Sequence, residues 1–121
     1  MEITEVQFGD VIVLAPAGRL DQATTPEFQT TLLSIVGARG SAVVIDFSGI
    51  PYISSVGLRA LMIAAKQGKV ANVPLAVAGL IPEVNEVFEI SRFNFVVQIF
   101  DTVEAALTAL SSDAAAAYAA Q

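Results

Sequence analysis

Apolar residues recur along this chain with two different periods, and the two kinds of segment alternate. Polar and apolar positions partly alternate from Glu2 to Phe8, Gly9-Asp10 has the composition of a turn, and an apolar run follows from Val11 to Gly18. This pattern predicts a β-hairpin at the start of the chain. Short apolar runs, of the kind found in strands covered on both faces, predict further strands at residues 42–47, 74–79 and 96–100.

Between these strands the apolar residues are spaced three or four apart, as on one face of a helix. Start signals for four helices are found at Thr24-Thr25-Pro26, Ser54-Ser55, Pro82 and Thr102. The expected apolar face of the first helix consists of Phe28, Leu32, Ile35 and Val36. Gly37 to Gly40 are expected to end that helix.

The resulting element order, ββαβαβαβα, predicts an α/β fold. Strands that alternate with helices imply right-handed crossovers, a mixed or largely parallel sheet, and helices packed on it. A chain of 121 residues has the size of one domain, which we place at residues 1–112. Residues 113–121 form an Ala-rich C-terminal tail, which either extends the last helix or frays.

Composition and charge exclude several kinds of chemistry. The chain has no Cys and no His, so disulfides, thiol nucleophiles and the usual transition-metal ligands are excluded, and we expect no metal and no cofactor. The net charge is −6, and the cations are scattered, which argues against nucleic acid and favours a basic or weakly charged protein as partner. The six cations are Arg19, Arg39, Arg59, Lys66, Lys69 and Arg92.

The start of the chain and its apolar runs bear on localisation. Met1 is followed by Glu2 and Glu5 rather than by the cationic start of an export signal. Every apolar run is broken well short of the length that spans a bilayer. We therefore expect a cytoplasmic protein without a membrane-inserted segment.

The candidate chemistry lies at the start of the second predicted helix, in Ser54-Ser55-Val56-Gly57. A phosphate on Ser54 or Ser55 would lie where free N–H groups and the helix dipole favour an anion. The alternative is purely structural: one serine caps the helix and Gly57 permits close packing. The residues alone leave both interpretations open.

Three segments of the chain match one family pattern: Gly18-Arg19-Leu20-Asp21, the run from Asp46 to Ile53, and Ser54-Ser55-Val56-Gly57-Leu58. They resemble the STAS domain family, which includes the anti-sigma factor antagonists of bacterial signalling. The resemblance implies a non-catalytic module that binds an anti-sigma factor, itself a serine kinase of the GHKL type, and that is switched off by phosphorylation at Ser55. A serine phosphatase is a further expected partner. The implied partner-binding residues are Asp21, Ser54, Ser55, Val56, Gly57 and Arg59.

A scaffold function stays open as the alternative to this switch, and two of the implied binding residues have structural alternatives. Well-known family members carry Asp immediately before the phosphorylated serine, whereas this chain has Ser54, which favours a STAS scaffold in a sensory, stressosome-like or transport complex without phosphorylation. Asp21 has a structural alternative as a turn former, and Arg59 as a solvated side chain. An enzyme with a serine nucleophile is disfavoured, because no His is present to act as base.

The remaining large residues near these motifs are expected to pack in the core rather than to bind a ligand. They are Tyr52, Ile53, Phe88, Phe93 and Phe95.

Overall fold

The computed structural model describes residues 1–38 and 42–121, and the side chain of residue 38 is left aside. Its strands are β1 (Glu2–Phe8), β2 (Val11–Ala17), β3 (Ala42–Asp46), β4 (Leu75–Ala78) and β5 (Gln98–Phe100). Its helices are α1 (Thr25–Ala38), α2 (Ser55–Ala71), α3 (Pro82–Ile90), α4 (Val103–Leu110) and α5 (Ser112–Ala119), with a 3-10 turn at Phe93–Phe95. The expected end of α1 at Gly37 to Gly40 lies partly outside the described residues.

The five strands form one mixed sheet in the order β1-β2-β3-β4-β5. The hairpin strands β1 and β2 are antiparallel, and each later strand is parallel to its neighbour. Gly9 closes the hairpin with a φ of +58°, a conformation that glycine adopts without the strain of a side chain. The predicted α/β architecture and mixed sheet are confirmed.

Each face of the sheet packs on its own set of helices because successive strand residues point to opposite faces. Ile12 and Leu14 of β2 lie in the larger core with the buried sides of α1, α2 and α3. Val11 and Val13 face the smaller core, which α4 and α5 cover. The predicted apolar face of α1, formed by Phe28, Leu32, Ile35 and Val36, is buried as expected.

Two aromatic residues predicted in the core are exposed, so that prediction is wrong for them. Tyr52 is 41% exposed because its ring lies against the Arg19 guanidinium at the surface, and Phe95 is 81% exposed on the 3-10 turn. Phe93 and Phe88 are buried as predicted, with ring centroids 5.3 Å apart. The Val96 and Val97 N–H groups both donate to the Phe93 carbonyl of this turn, so β5 begins at Gln98, two residues later than predicted.

The Ala-rich C-terminal residues form a separate helix, α5, rather than an extension of α4. Ser111 caps this helix, and its hydroxyl oxygen accepts a hydrogen bond from the Ala114 N–H at 3.2 Å. The ring of Tyr118 packs edge-on against Phe8 of β1, with centroids 5.2 Å apart. The last helix therefore covers the hairpin end of the sheet.

Candidate partner-binding site

Two chain segments meet side by side beyond the carboxyl ends of β2 and β3. The Leu20 N–H donates to the Tyr52 carbonyl at 2.9 Å, and the Ser54 N–H donates to the Leu20 carbonyl at 2.9 Å. These bonds form an isolated parallel bridge between Leu20 and Ile53. Asp21 and Ser54, the next residue on each segment, are thereby placed at the same edge of the sheet, where open α/β folds hold their binding sites.

Gly57 lets the first turn of α2 lie directly on this bridge. A Cβ at Gly57 would lie 2.9 Å from Ile53 Cγ1 and 3.1 Å from Leu20 Cγ, and both of those side chains are buried. Gly57 is itself buried, so its part in the site is to set the position of the helix start. The close packing expected from the sequence is present.

The two serines at this helix start differ in their hydrogen bonding. Ser54 is the N-cap, with extended backbone, and its hydroxyl oxygen accepts from the Gly57 N–H at 3.3 Å. Ser55 is the first residue of α2 and is exposed. Within the described residues the Ser55 hydroxyl has no hydrogen-bond partner in the protein. The capping role therefore belongs to Ser54, and the Ser55 hydroxyl is accessible for other chemistry.

Asp21 organises the start of α1. Its Oδ1 accepts from the N–H groups of Ala23 at 3.0 Å and Thr24 at 3.2 Å, while its own N–H donates to the Thr24 hydroxyl at 3.0 Å. The bond from the Thr24 N–H lowers the pKa of the Asp21 carboxyl below its ordinary value of 3.8 and outweighs desolvation, and the Ala23 N–H and Arg19 add to this. Asp21 is thus a turn former, because its Oδ1 holds the N–H groups that precede α1. Its second oxygen, Oδ2, lies 3.7 Å from Arg19 Nε.

Arg19 and Tyr52 also lie at this edge, although neither was a predicted site residue. The guanidinium carbon of Arg19 lies 4.1 Å from the centroid of the Tyr52 ring, and its Nε faces Asp21. The motif containing Arg19 was visible in the sequence, but the cation–π contact depends on the pairing of two distant segments. We use the term Ser55 surface for Arg19, Asp21, Tyr52, Ser55, Val56 and Arg59.

Val56 and Arg59 continue the Ser55 surface along the first turns of α2. Val56 is 43% exposed, and Arg59 is exposed four residues after Ser55, on the same side of the helix. The structure thus brings Asp21, Ser55, Val56 and Arg59 to one surface, while Gly57 lies beneath it.

The Ser55 surface is suited to an anion at Ser55 and poorly suited to activating the hydroxyl. The first hydrogen bond within the helix joins the Leu58 N–H to the Ser54 carbonyl, so the N–H groups of Ser55 and Val56 precede the helical ladder. The carboxylate of Asp21 has a lowered pKa and is held by backbone N–H groups, which makes it a weak base. Among residues 1–38 and 42–121, no group of three or more acidic side chains is placed to hold a metal.

The model of the STAS domain family matches residues 2–106 of the chain. The chain belongs to the STAS domain family. It is 30% identical over 112 residues to BtrV of Bordetella bronchiseptica, a protein named as an anti-sigma factor antagonist, and the match covers 93% of this chain and 97% of BtrV. The family, its fold and the α/β class predicted from the sequence are therefore established.

The chain also shares its fold with solved structures of other proteins. An anti-sigma factor antagonist from Mycobacterium paratuberculosis superimposes with a TM-score of 0.82 at 22% identity, covering 90% of this chain and 92% of the other. The phosphorylated form of SpoIIAA, a cell fate determinant of Bacillus, superimposes with a TM-score of 0.69 at 14% identity, covering 91% of this chain and all of the other (100%). Within residues 1–38 and 42–121, none of the helices combines the length and the hydrophobicity that a membrane span requires.

Proposed function

We propose that this STAS protein is an anti-sigma factor antagonist that binds its partner through the Ser55 surface and is switched off by phosphorylation of Ser55. The observation that carries the proposal is the difference in hydrogen bonding between the two serines, Ser54 and Ser55. Ser54 caps the helix by accepting from the Gly57 N–H, while the Ser55 hydroxyl is exposed at a position where the helix dipole favours an anion. The name of BtrV, a relative aligned over nearly the whole chain, supports the class of function.

The partner in this proposal is an anti-sigma factor that is also a serine kinase of the GHKL type. Unphosphorylated antagonist binds the kinase and releases the sigma factor, and the kinase ends this state by phosphorylating Ser55. A serine phosphatase restores the hydroxyl, and the cycle takes place in the cytoplasm. The phosphate adds about −1.5 to −2 charge at the centre of the surface, enough to disrupt a closely packed interface.

In this cycle the antagonist is a binding module and not an enzyme. The chain has no His or Cys to act as base or nucleophile. Asp21, the carboxylate beside the Ser55 surface, is held by the N–H groups that start α1. These observations favour a hydroxyl that is modified by another protein over one that attacks a substrate itself.

The test is a set of paired affinity captures from extracts of the source cells, with bound proteins identified by mass spectrometry. The baits are the wild type, Ser55→Ala, Ser55→Glu and, as a matched charge control, Ser112→Glu, which alters the exposed first residue of α5. The proposal predicts a GHKL-type kinase on the wild type, Ser55→Ala and Ser112→Glu, and its loss from Ser55→Glu. Retention of one sensor or transporter component on all four baits would instead support the scaffold alternative.

A further inference from the structure

The outer side of α2 carries an ordered set of exposed apolar and cationic residues far beyond its first turn. Val56, Ile63 and Val70 follow one another at intervals of seven residues, so they form a line along the helix. Their exposed fractions are 43%, 37% and 90%. A buried structural role does not explain a large apolar residue that is 90% exposed.

Cations lie beside this apolar line. Arg59 and Lys66 are also seven residues apart, and Lys69 lies on the next turn. All three are exposed, and no Asp or Glu occurs in the sequence between Asp46 and Glu83. The ion pairs found within the described residues are at Met1 and Arg19, and none involves a cation of α2.

The orientation of α2 is fixed, so this side stays directed outward. The opposite side of α2 is buried in the core. Gln67 also connects α2 to α1, because its Nε2 donates to the Leu33 carbonyl at 3.3 Å. The 17 residues of α2 correspond to a length of about 25 Å. The buried residues are Gly57, Ala60, Leu61, Ala64, Ala65 and Gly68.

We infer that α2 is the docking site for an amphipathic helix of a partner protein, in which an apolar stripe flanked by Asp and Glu lies along α2 from Val56 to Val70. Arg59 and Lys66 lie three residues after Val56 and Ile63, so an apolar row and a cationic row run side by side along α2. A partner helix with an apolar row beside an acidic one complements both, and the charges select the partner. The net charge of −6 favours a basic partner for the chain as a whole, but the local charge of this helix favours an acidic one.

The partner helix inferred here would belong to the anti-sigma factor of the proposed function, and to that extent the inference rests on the proposed function. The apolar line begins at Val56, within the Ser55 surface, so the two surfaces are continuous. A phosphate on Ser55 would lie one turn from Arg59 and compete with the partner's carboxylate for that cation. Phosphorylation would thus weaken docking by removing an attraction as well as by adding bulk.

A protein helix is favoured over an anionic membrane as the occupant. Apart from Val70, the exposed large apolar residues of α2 are only partly accessible, with Val56 at 43%, Met62 at 38% and Ile63 at 37%, so little apolar surface is available for insertion among lipids. The net charge of −6 also repels an anionic surface. A partner helix needs only local complementarity, which α2 provides.

The test is a titration of the full isotope-labelled chain with two synthetic helical peptides, followed by backbone NMR shifts. Both peptides carry Leu at the a and d heptad positions, and one has Glu and the other Lys at e and g. We expect the Glu peptide to shift resonances along α2 and the Lys peptide to leave them unchanged. Lys66→Glu and Val70→Asp should each weaken binding of the Glu peptide by about tenfold, because each places a like charge at the interface.

Controls separate this inference from its rivals and from the switch at Ser55. Ile90→Asp, at a residue of α3 that is 76% exposed, should bind the Glu peptide as the wild type does. Equal response to both peptides, no shift on α2, or binding of phosphatidylserine vesicles in place of the Glu peptide would overturn the inference. Neither peptide titration depends on the charge at residue 55. A failed titration would therefore overturn the docking site on α2 without contradicting the Ser55 switch, and failed captures would contradict the switch without overturning the docking site.

Discussion

Two helices of this STAS protein begin with the same pair of residues, Ser-Ser, and with the same kind of capping hydrogen bond. Ser54 caps α2 by accepting a hydrogen bond from the Gly57 N–H, and Ser111 caps α5 by accepting one from the Ala114 N–H. In each pair the second serine is the first residue of the helix and is exposed. By sequence pattern and capping hydrogen bond alone, the two starts are equivalent.

The charges around the two starts differ, because the Ser55 surface holds Arg59 and the ion pair of Arg19 with Asp21, whereas acidic side chains lie beside Ser112. Arg59 follows Ser55 by one helical turn, whereas Ser112 is followed directly by Asp113. The Ser111 hydroxyl also donates to the carboxylate of Asp10. A phosphate would therefore meet a cation at Ser55 and two carboxylates near Ser112. The comparison teaches that a capping pattern marks a helix start, while the surrounding charge decides whether that start can hold an anion.

The largest effect on stability is expected from Gly9→Ala, beneath the start of α5. A Cβ at Gly9 would lie 3.0 Å from Ala114 N and 3.1 Å from its Cα, and the residue has a φ of +58°. Backbone strain and displacement of α5 should together lower the free energy of unfolding by about 2 to 3 kcal/mol, measured by urea denaturation. Partner capture should persist, because the hairpin turn lies at the opposite edge of the sheet from Ser55. Unchanged stability would contradict the close packing of α5.

Gly57→Ala tests the equivalent close approach beneath α2. The added Cβ meets buried atoms of Ile53 and Leu20, and this overpacking exceeds the gain in helix propensity, so we expect a loss of about 1 to 2 kcal/mol. Gly37→Ala is the matched control, since its Cβ would meet only the end of the Gln67 side chain. That variant should be neutral or stabilised by up to about 1 kcal/mol. Equal effects of the two substitutions in thermal or urea unfolding would show that α2 tolerates displacement.

Alanine substitution of each serine in turn tests which residue of each pair caps its helix. Ser54→Ala should cost about 1 kcal/mol through loss of the cap, and Ser111→Ala somewhat more, because its hydroxyl also bonds Asp10. Ser55→Ala and Ser112→Ala should stay within about 0.5 kcal/mol of the wild type. Urea unfolding of the four variants checks this order. A Ser55→Ala variant less stable than Ser54→Ala would reverse our assignment of the cap.

The smallest effect is expected from Asp21, as a dependence of stability on pH. Its pKa is lowered in the folded chain, so its contribution is fully present above the ordinary value of 3.8 and is lost as the pH falls through the lower folded value. The wild type should therefore have a higher melting temperature than Asp21→Asn at pH 7, and the difference between the two melting temperatures should shrink below about pH 3.8. Melting curves of both proteins from pH 7 to pH 3 measure this. A constant difference over that range would mean that the charge of Asp21 does not contribute.

The sequence was sufficient for the architecture because each element carries its own local signal. The apolar face of α1 has helical spacing, and the start of α2 has a Ser-Ser pair, which are patterns that act over a few residues. The exposed Phe95 and Tyr52 were missed, since aromatic composition favours burial on average and their positions depend on a 3-10 turn and on Arg19.

The candidate site could be predicted in part. Which of Ser54 and Ser55 caps α2 was left open by the sequence, because either residue type accepts the bond, and the backbone of the helix start decides it. The contact of Arg19 with Tyr52 was not visible, since it joins residues 33 positions apart through the Leu20–Ile53 bridge. Phosphorylation of Ser55, its partner-binding role and the domain limits of 1–112 stay predictions.

The most direct test of the central claim is to map the phosphorylated residue. The wild type, Ser55→Ala and Ser112→Ala are incubated with extract of the source cells and ATP, and the modified residue is identified by fragmentation mass spectrometry. We predict one phosphate on Ser55 in the wild type and in Ser112→Ala, and none in Ser55→Ala. Phosphate on Ser54 or Ser112, or an unmodified Ser55 in a protein that has captured the kinase, would contradict the account.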